Sequence, residues 1–138
     1  MENFSNWFAR SAGKWTSHRR YLTLPARKDD TYKTEFTIDV DGNRVSISWD
    51  GDASEGTMNM EIVDDLLKRD IGYFSNDPTD SRMEAIDDDT VVFWSAYSGM
   101  EFREEIRLLN GDTHRLRQTV GYKEGKPFIV GQYFEEKA

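Results

Sequence analysis

The chain has 138 residues and a formal net charge of −8 at pH 7. This length suits one domain with a real core, so we predict a single domain over residues 1–138. The acidic balance argues against nucleic acid as a partner, because phosphate contacts need clustered positive charge. The absence of cysteine excludes disulfides, thiolate metal ligands and cysteine nucleophiles, and two histidines are too few for a multi-histidine metal site, so we expect no bound metal.

The N-terminal region has Glu2 and no apolar run long enough for a signal peptide or a membrane span. We therefore expect a cytoplasmic protein that does not contact membranes. Aromatic residues make up 13% of the chain, with 4 Trp, 6 Tyr and 8 Phe. This fraction argues for a folded core rather than disorder and leaves rings available to line a cavity.

The first predicted element is a short helix over residues 3–11. Phe4, Trp7 and Phe8 fall on one side at helical spacing, and Gly13 can end the helix. Such a helix in front of a run of strands would either plug the end of a barrel or pack on its outside. The sequence does not choose between these two placements.

The rest of the chain predicts short strands, because β-branched and aromatic residues alternate with polar ones between turn signals. The candidate strands are 14–24, 32–40, 44–49, 56–62, 71–74, 82–86, 90–97, 100–109, 113–122 and 126–137. Residues 63–70 are either a helical turn or an irregular connection. The consecutive hairpins predict an all-β fold, an antiparallel up-and-down barrel of about ten strands that can enclose one small ligand.

Two further expectations concern the strands. Segment 90–97 is the strongest strand pattern in the chain, and as an exposed apolar strand it would allow two barrels to pair as a homodimer. Trp15 and Trp94 are predicted to pack in the core.

Three residues of the strand 113–122 carry a chemical signal. Arg115, Arg117 and Thr119 are spaced two apart, so they share one face. Neighbouring guanidinium groups repel each other, and a strand built only for stability has no need of them. Fixed cations near a carboxylate suit an anionic ligand that also offers N–H donors. The competing interpretation, which the pattern alone favours, is a solvated outer face with a cross-strand ion pair.

The carboxylate that faces these arginines depends on the hairpin register. The dipeptide at 110–111, Asn-Gly, favours a type I′ turn. A strict two-residue turn places Glu104 opposite Arg117, whereas a loop one residue longer places Glu105 there. Because a one-residue slip moves every side chain to the other face, both carboxylates remain candidates.

Three segments together resemble a known family. They are S-A-G-K-W-T-S-H-R at 11–19, S-W-D-G at 48–51, and the pair Glu104-Glu105 followed by R-L-R at 115–117. In order and rough spacing they are similar to the S-type phycobiliprotein lyases, the CpeS/CpcS family. The resemblance implies a lipocalin-like (calycin) barrel that binds an open-chain tetrapyrrole, phycoerythrobilin by preference or phycocyanobilin. It also implies an enzyme that attaches this bilin by a thioether bond to a cysteine of an apo-phycobiliprotein subunit.

The resemblance also implies roles for the hairpin residues. Glu105 would contact the pyrrole nitrogens or protonate the bilin, with Glu104 as the alternate. Arg115 and Arg117 would bind propionate or lactam oxygens, and Thr119 would support them.

Two residues elsewhere complete the expected bilin site. Trp49 would stack on the rings, although plain core packing is equally consistent with its position. Arg19 would hold a second propionate, and its alternative is a surface ion pair.

The implied partners follow from this chemistry. The bilin is a substrate rather than a permanent cofactor. It would come from a bilin reductase and go to a subunit of the phycoerythrin or phycocyanin type. A lyase without cysteine cannot trap its own cargo, because the thiol that attacks the bilin then belongs to the acceptor. The rival interpretations are a non-catalytic carrier of a bilin, haem, fatty acid or other small apolar anion, and a structural protein with an empty barrel.

Overall fold

The computed structural model describes residues 4–52, 54–71 and 78–138. In this part of the chain one helix precedes ten strands. The elements are α1 (Phe4–Arg10), β1 (Gly13–Thr23), β2 (Lys28–Asp41), β3 (Arg44–Gly51), β4 (Glu55–Val63), β5 (Leu66–Arg69), β6 (Thr79–Ala85), β7 (Thr90–Tyr97), β8 (Met100–Leu109), β9 (His114–Lys123) and β10 (Lys126–Lys137).

The ten strands of the described residues form one closed antiparallel barrel. Each strand pairs with its neighbours in sequence, and β1 pairs with both β2 and β10 to close the sheet. The predicted lipocalin-like up-and-down barrel with an N-terminal helix is therefore confirmed. Among the described residues, no helix has the length and apolar character needed to cross a membrane.

The helix α1 plugs one end of the barrel. Its buried side chains are Phe4, Trp7 and Phe8, which are the residues that the helical spacing places on one side. The rings of Trp7 and Phe8 pack against Phe93 of β7 at centroid distances of 6.1 Å each. The Trp7 Nε1–H donates to the carbonyl of Asp89 at 2.9 Å. Of the two placements that the sequence left open, the structure has the helix as a plug.

A single arginine fastens this plug to the turns around it. Arg10 Nη2 lies 2.6 Å from Asp89 Oδ1 and 2.8 Å from Asp112 Oδ1, and Nη1 donates to the carbonyl of Asp88 at 2.7 Å. The hydrogen bond to Asp112, followed by that to Asp89, raises the pKa of Arg10. The same hydrogen bond lowers the pKa of Asp112. Helix α1, the β6–β7 turn and the β8–β9 turn are thus joined through one guanidinium.

The two tryptophans predicted to be core differ in position. Trp15 is 1% exposed and donates its Nε1–H to the carbonyl of Ser11, so its prediction is confirmed. Trp94 is 40% exposed, and its prediction is wrong. On β7 the side chains of Val91 and Phe93 point inward, so alternation turns Trp94 to the outer face, under the Arg103 guanidinium at 5.5 Å.

The segment 63–70 forms a hairpin rather than a helical turn. Asp64 takes a φ of +55° in a two-residue turn, and β5 follows and pairs with β4 and β6. The strand is only four residues long, which hid its alternating burial in the sequence. The predicted strand 71–74 lies, from residue 72 onward, outside the described residues.

Two barrels cannot pair edge to edge through segment 90–97, and a homodimer by other contacts stays a prediction. This segment is β7, and it pairs along its length with β6 on one side and with β8 on the other. Barrel closure leaves β7 without a free edge, so a second copy cannot add to it by strand pairing.

Candidate functional site

The hairpin β8–β9 places one carboxylate and three predicted partners inside the barrel. Glu104 lies opposite Thr119 across the hairpin, and Ile106 lies opposite Arg117. The turn is longer than either register considered above, because it spans residues 110–113 and has positive φ at Asn110, Gly111 and Asp112. This turn is two residues longer than the tight turn. A change of two residues leaves every side chain on the same face, so Glu104 shares the face of the arginines.

Glu104 and Glu105 therefore lie on opposite sides of the barrel wall. Glu104 is 3% exposed and lines the central cavity. The side chain of Glu105 is 44% exposed and pairs with Arg103 at 3.1 Å on the outer surface. The preference for Glu105 as the cavity carboxylate is wrong, because strand alternation turns it outward. Glu104, the alternate, is the residue that the fold places inside.

The interior charges form a continuous network. Arg117 Nη2 lies 2.8 Å from Glu104 Oε2, and Arg117 Nη1 lies 3.0 Å from Glu135 Oε2. Arg115 Nε donates to Glu135 Oε1 at 2.9 Å, and the Thr119 hydroxyl donates to Glu104 Oε2 at 3.1 Å. The two arginines, predicted to be a ligand-holding pair, thus already have carboxylate partners inside the protein.

Burial and charge act in opposite directions on this network. Burial by itself would raise the pKa of Glu135, but Arg117 and Arg115 hold that pKa below its usual value. Burial would likewise lower the pKa of Arg117, and Glu104 and Glu135 raise it instead. For Arg115 burial prevails over the attraction of Glu135, and its pKa falls. The charges are stable in the interior because each faces an opposite charge at hydrogen-bond distance.

Glu135 is the member of this network that the sequence analysis missed. It lies on β10, is 0% exposed, and sits directly across from Arg115. In the sequence it is one of two adjacent glutamates near the end of the chain, which reads as a polar terminus. Only the return of β10 to β9, and its closure onto β1, shows that this carboxylate faces inward.

A cavity of about 670 Å³ runs through the barrel. At the closed end it reaches Trp7 and Phe8 of the helix, and at the opposite end it reaches Thr23, Tyr32 and the exposed Ser54. Most of the remaining wall is apolar. It includes the following inward side chains: Phe36, Ile38, Ile47, Met58, Met60, Leu67, Phe93 and Ile106. The charged network forms one side of this cavity.

Arg19 of β1 contributes a cation of a different kind. It is half-buried, lines the cavity, and donates its Nε–H to Ser17 Oγ at 3.1 Å. Its guanidinium lies 5.3 Å from the ring centre of Tyr133 and 5.9 Å from that of Phe36. Within the described residues no salt bridge involves Arg19. The alternative of a surface ion pair is therefore wrong for these residues, and Arg19 presents its charge to the cavity.

Tyr133 is a second residue that the sequence analysis missed. Its ring lies 4.3 Å from the Arg117 guanidinium carbon and 5.3 Å from that of Arg19, so it separates the two cations. Burial raises the pKa of Tyr133 well above its usual value, which keeps the phenol neutral. The glycine at position 131 leaves room for this ring. A Cβ there would lie only 2.5 Å from the phenol oxygen. The signal available in the sequence was a glycine two residues before a tyrosine, which places both residues on one face of the strand.

Trp49 combines the two positions considered for it. It packs against the buried core cluster and also lines the cavity. Its indole lies over Gly56 of the neighbouring strand, where a Cβ would approach Cζ2 to 2.6 Å. The Nε1–H donates to Ser54 Oγ at 3.2 Å near the cavity mouth. Glycine at position 56 therefore permits the flat ring that forms this part of the wall.

The structure contains no group of three or more His, Cys, Asp or Glu residues placed to hold a metal ion, as far as residues 4–52, 54–71 and 78–138 are concerned. The polar groups of the cavity are instead guanidinium and hydroxyl donors and carboxylate acceptors.

Comparison with known proteins supports the resemblance seen in the sequence. A candidate chromophore lyase CpcV of Picosynechococcus is 27% identical over 95% of this chain and 79% of its own length. A candidate phycocyanobilin lyase CpcS 2 of Nostoc is 24% identical over 95% of this chain and 88% of its own length. The solved structure of the S-type phycobiliprotein lyase of Guillardia theta superposes with a TM-score of 0.76, at 17% identity, over 99% of this chain and 93% of that one. No protein-family model matches the chain. The chain thus resembles the S-type lyases in sequence, and it has the same fold as the Guillardia protein.

Proposed function

We propose that this chain is a chromophore lyase that binds a free phycobilin in the barrel cavity and attaches it to a cysteine of an apo-phycobiliprotein subunit. The observation that carries the proposal is the cavity itself, where an inward carboxylate, Glu104, and a cation without a salt-bridge partner among the described residues, Arg19, face a space with a largely apolar wall. The likeness to two candidate lyases over 95% of the chain supports it.

The size and lining of the cavity suit a tetrapyrrole. Its volume of about 670 Å³ lies in the range of roughly 300–1,000 Å³ typical of sites that enclose a small organic ligand. A bilin is a long apolar π-system, and the indole of Trp49 offers it a flat wall. The aliphatic side chains on the remaining wall would cover the ring edges.

The polar groups of a bilin match those of the cavity. Glu104 can accept hydrogen bonds from pyrrole N–H groups, and its position is fixed by Arg117 and Thr119. Arg19 can bind a propionate bidentately, since within the described residues no carboxylate occupies it. Arg115 and Arg117 have carboxylate partners of their own, so we assign them the role of holding Glu104 and Glu135 in place, with Arg117 also able to reach a lactam oxygen.

The attachment step is an addition. The thiol of the acceptor adds to the ethylidene double bond on ring A, a C–S bond forms, and the proton ends on the adjacent carbon, so nothing leaves. This chain contains no cysteine and cannot take the bilin itself. Its residues would hold the bilin in one conformation and polarise its conjugated system through Glu104.

The rival carrier function is less consistent with the cavity. A fatty acid offers one carboxylate and no N–H donors, and it would leave the inward carboxylate Glu104 facing an alkyl chain. A bilin supplies hydrogen-bond donors to that carboxylate as well as anionic groups to Arg19. The polar composition of the cavity therefore favours a ligand with both kinds of group.

The test is a visible absorption titration followed by transfer. The purified protein is titrated with phycoerythrobilin, the sequence-based expectation, and with phycocyanobilin, the bilin in the name of the Nostoc relative. An apo-phycoerythrin or apo-phycocyanin subunit is then added. We expect a shifted, structured band that passes into a covalently coloured, zinc-fluorescent subunit. Binding without transfer to any subunit would indicate a carrier, and the absence of a spectral change with both bilins would contradict the proposal.

A further inference from the structure

The charge of the chain is divided unequally around the barrel. Residues 27–89, which include β2 to β6, contain 18 acidic and 7 basic residues, a formal charge of −11. The remaining residues contain 8 acidic and 11 basic residues, a formal charge of +3. Because β7, β8, β9, β10 and β1 are consecutive in the closed sheet, the strands outside the acidic segment form one continuous side. We call the outward face of these five strands the C-terminal wall.

Three of the four large exposed apolar side chains of the described residues lie on the same wall, and the fourth, Ile86, lies in the β6–β7 turn. Leu116 on β9 is 47% exposed, Phe134 on β10 is 42% exposed, and they are direct cross-strand partners. Trp94, 40% exposed, lies on β7 at the edge of the wall. Large exposed apolar groups on a soluble barrel typically mark an interaction site when they are clustered and rimmed by polar residues.

An uncharged strip runs down the centre of the C-terminal wall. The outward side chains of β9 from 116 to 122 and of β10 from 130 to 134 contain no charged residue, although 32% of the chain is charged. The strip consists of Leu116, Gln118, Val120, Tyr122, Val130, Gln132 and Phe134. A charge-free centre with apolar anchors is the usual anatomy of a protein–protein interface.

Outward residues of both charge signs flank the strip, because β8 carries Glu101 and Glu105 as well as arginines. Arg20 on β1 lies across from Gln132, and Arg107 on β8 lies across from Leu116. Arg20 pairs with Asp29, whereas Arg107 is exposed and forms no salt bridge within the described part of the chain. Arg103 pairs with Glu105, so Arg107 is a flanking cation that would attract an acidic side chain of a partner.

The wall is large enough for a specific complex. Five strands spaced about 4.8 Å apart, each about ten residues long at about 3.4 Å per residue, give a face on the order of 24 by 34 Å. A stable complex buries about 800 Å² per partner, which is comparable to this area.

We propose that the C-terminal wall is the docking surface for the acceptor protein, and that the acceptor presents an apolar patch with an acidic side chain opposite Arg107. This proposal rests on the proposed function, since it names the partner that receives the bilin. A second copy of this chain fits less well. Two chains of net charge −8 repel each other at long range.

The test compares two outward cross-strand pairs. The strip variant carries both Leu116→Gln and Phe134→Gln, which remove the apolar anchors of the strip. The control variant carries both Ser48→Gln and Thr57→Gln, which change an exposed cross-strand pair on β3 and β4 of the acidic side. Binding of each bilin-free variant to a bilin-free phycocyanin subunit is measured by sedimentation velocity. We expect the strip variant to bind at least about tenfold more weakly, because truncating interface anchors commonly costs that much, and the control variant to bind like the wild type.

Two further measurements separate the outcomes. Bilin titration of both variants should give wild-type affinity, which shows that the barrel is intact. Arg107→Glu should weaken acceptor binding, with the loss reduced at high salt.

Wild-type acceptor binding by the strip variant would overturn the proposal, as would a wild-type protein that does not bind the acceptor. Loss of self-association with normal acceptor binding would assign the wall to a second copy instead. A protein that docks but binds no bilin would refute the proposed function and leave the docking surface standing.

Discussion

At the scale of single residues, the interior depends on four charged side chains that pair with one another. Glu104, Arg117, Glu135 and Arg115 alternate in sign along one continuous chain of contacts. The face shared by the arginines was predictable, because it follows from strand alternation alone. Glu135 was not predictable, since a β-bulge between Pro127 and Ile129 shifts the β9–β10 register by one residue and so turns Glu135 inward.

Acid should weaken the folded protein through Glu135. Its pKa is lowered on folding, so the unfolded chain binds its proton more readily than the folded one. The contribution of this group to stability is therefore present above the unfolded pKa of about 4.5 and is lost as the pH falls through the lower folded value. We expect Glu135→Gln to be destabilised by about 3–5 kcal/mol at pH 7, because removing one partner leaves buried charge uncompensated. As the pH falls below 7, the stability of the Glu135→Gln variant should also decrease less steeply than that of the wild type.

Urea unfolding between pH 3.5 and 7 measures this effect. The control is Glu136→Gln, the exposed neighbour on the outer face of β10, which should follow the wild-type curve. Parallel pH profiles for Glu135→Gln and the wild type would show that the buried carboxylate is not the acid-sensitive group.

Arg19 and Arg20 allow a test of the cavity cation. Arg19 faces the cavity, and its neighbour Arg20 pairs with Asp29 on the outer surface. We expect Arg19→Gln to weaken bilin binding by about tenfold or more, since a hydrogen bond to a charged group contributes about 1.5–3 kcal/mol. Arg20→Gln should bind like the wild type in the same absorption titration. Equal affinities for the two variants would remove Arg19 from the site.

At the scale of elements, the plug helix and the turns around it are linked by Arg10. This linkage explains why the β8–β9 turn is longer than an Asn-Gly dipeptide suggests: Asp112 extends from the turn to accept two hydrogen bonds from Arg10 Nε and Nη2. The sequence predicted a hairpin at the correct place, and it could not predict the turn length, because the partner that holds Asp112 lies 102 residues away.

Removing this link should loosen the closed end of the barrel. We expect Arg10→Gln to lower the free energy of unfolding by about 1–2 kcal/mol, because three acceptors lose a partly buried charged donor. The comparison variant is Arg44→Gln, whose ion pair with Glu61 is long, at 3.8 Å, and exposed. It should leave the urea midpoint unchanged. If Arg10→Gln also left the midpoint unchanged, the helix would be held by its apolar side alone.

At the scale of the whole molecule, closure of the barrel decides most of what the sequence left open. It removes the free strand edge that a β7-mediated dimer would need, and it turns Trp94 outward. The number of strands and the N-terminal helix were predictable, since both follow from short-range patterns, whereas the placement of the helix as a plug was not. Strand β5 was not, because four residues give too few alternations to separate a strand from a turn.

The division of charge also emerges only at this scale. Composition gives a net charge of −8, which says nothing about where the charge lies. The strand order shows that the acidic residues gather on β2 to β6 and leave the opposite wall uncharged at its centre. The cavity and this wall would then serve the two partners of one reaction, the bilin inside and the acceptor outside.

The measurement that tests the central claim most directly is a bilin absorption titration of two neighbouring variants. Glu104→Gln changes the carboxylate inside the cavity, and Glu105→Gln changes the next residue, on the outer surface. We predict that Glu104→Gln alters the position or intensity of the bound-bilin band and weakens binding, while Glu105→Gln reproduces the wild-type spectrum. Identical spectra and affinities for the two variants, or an effect confined to Glu105→Gln, would contradict the assignment of the cavity as the bilin site.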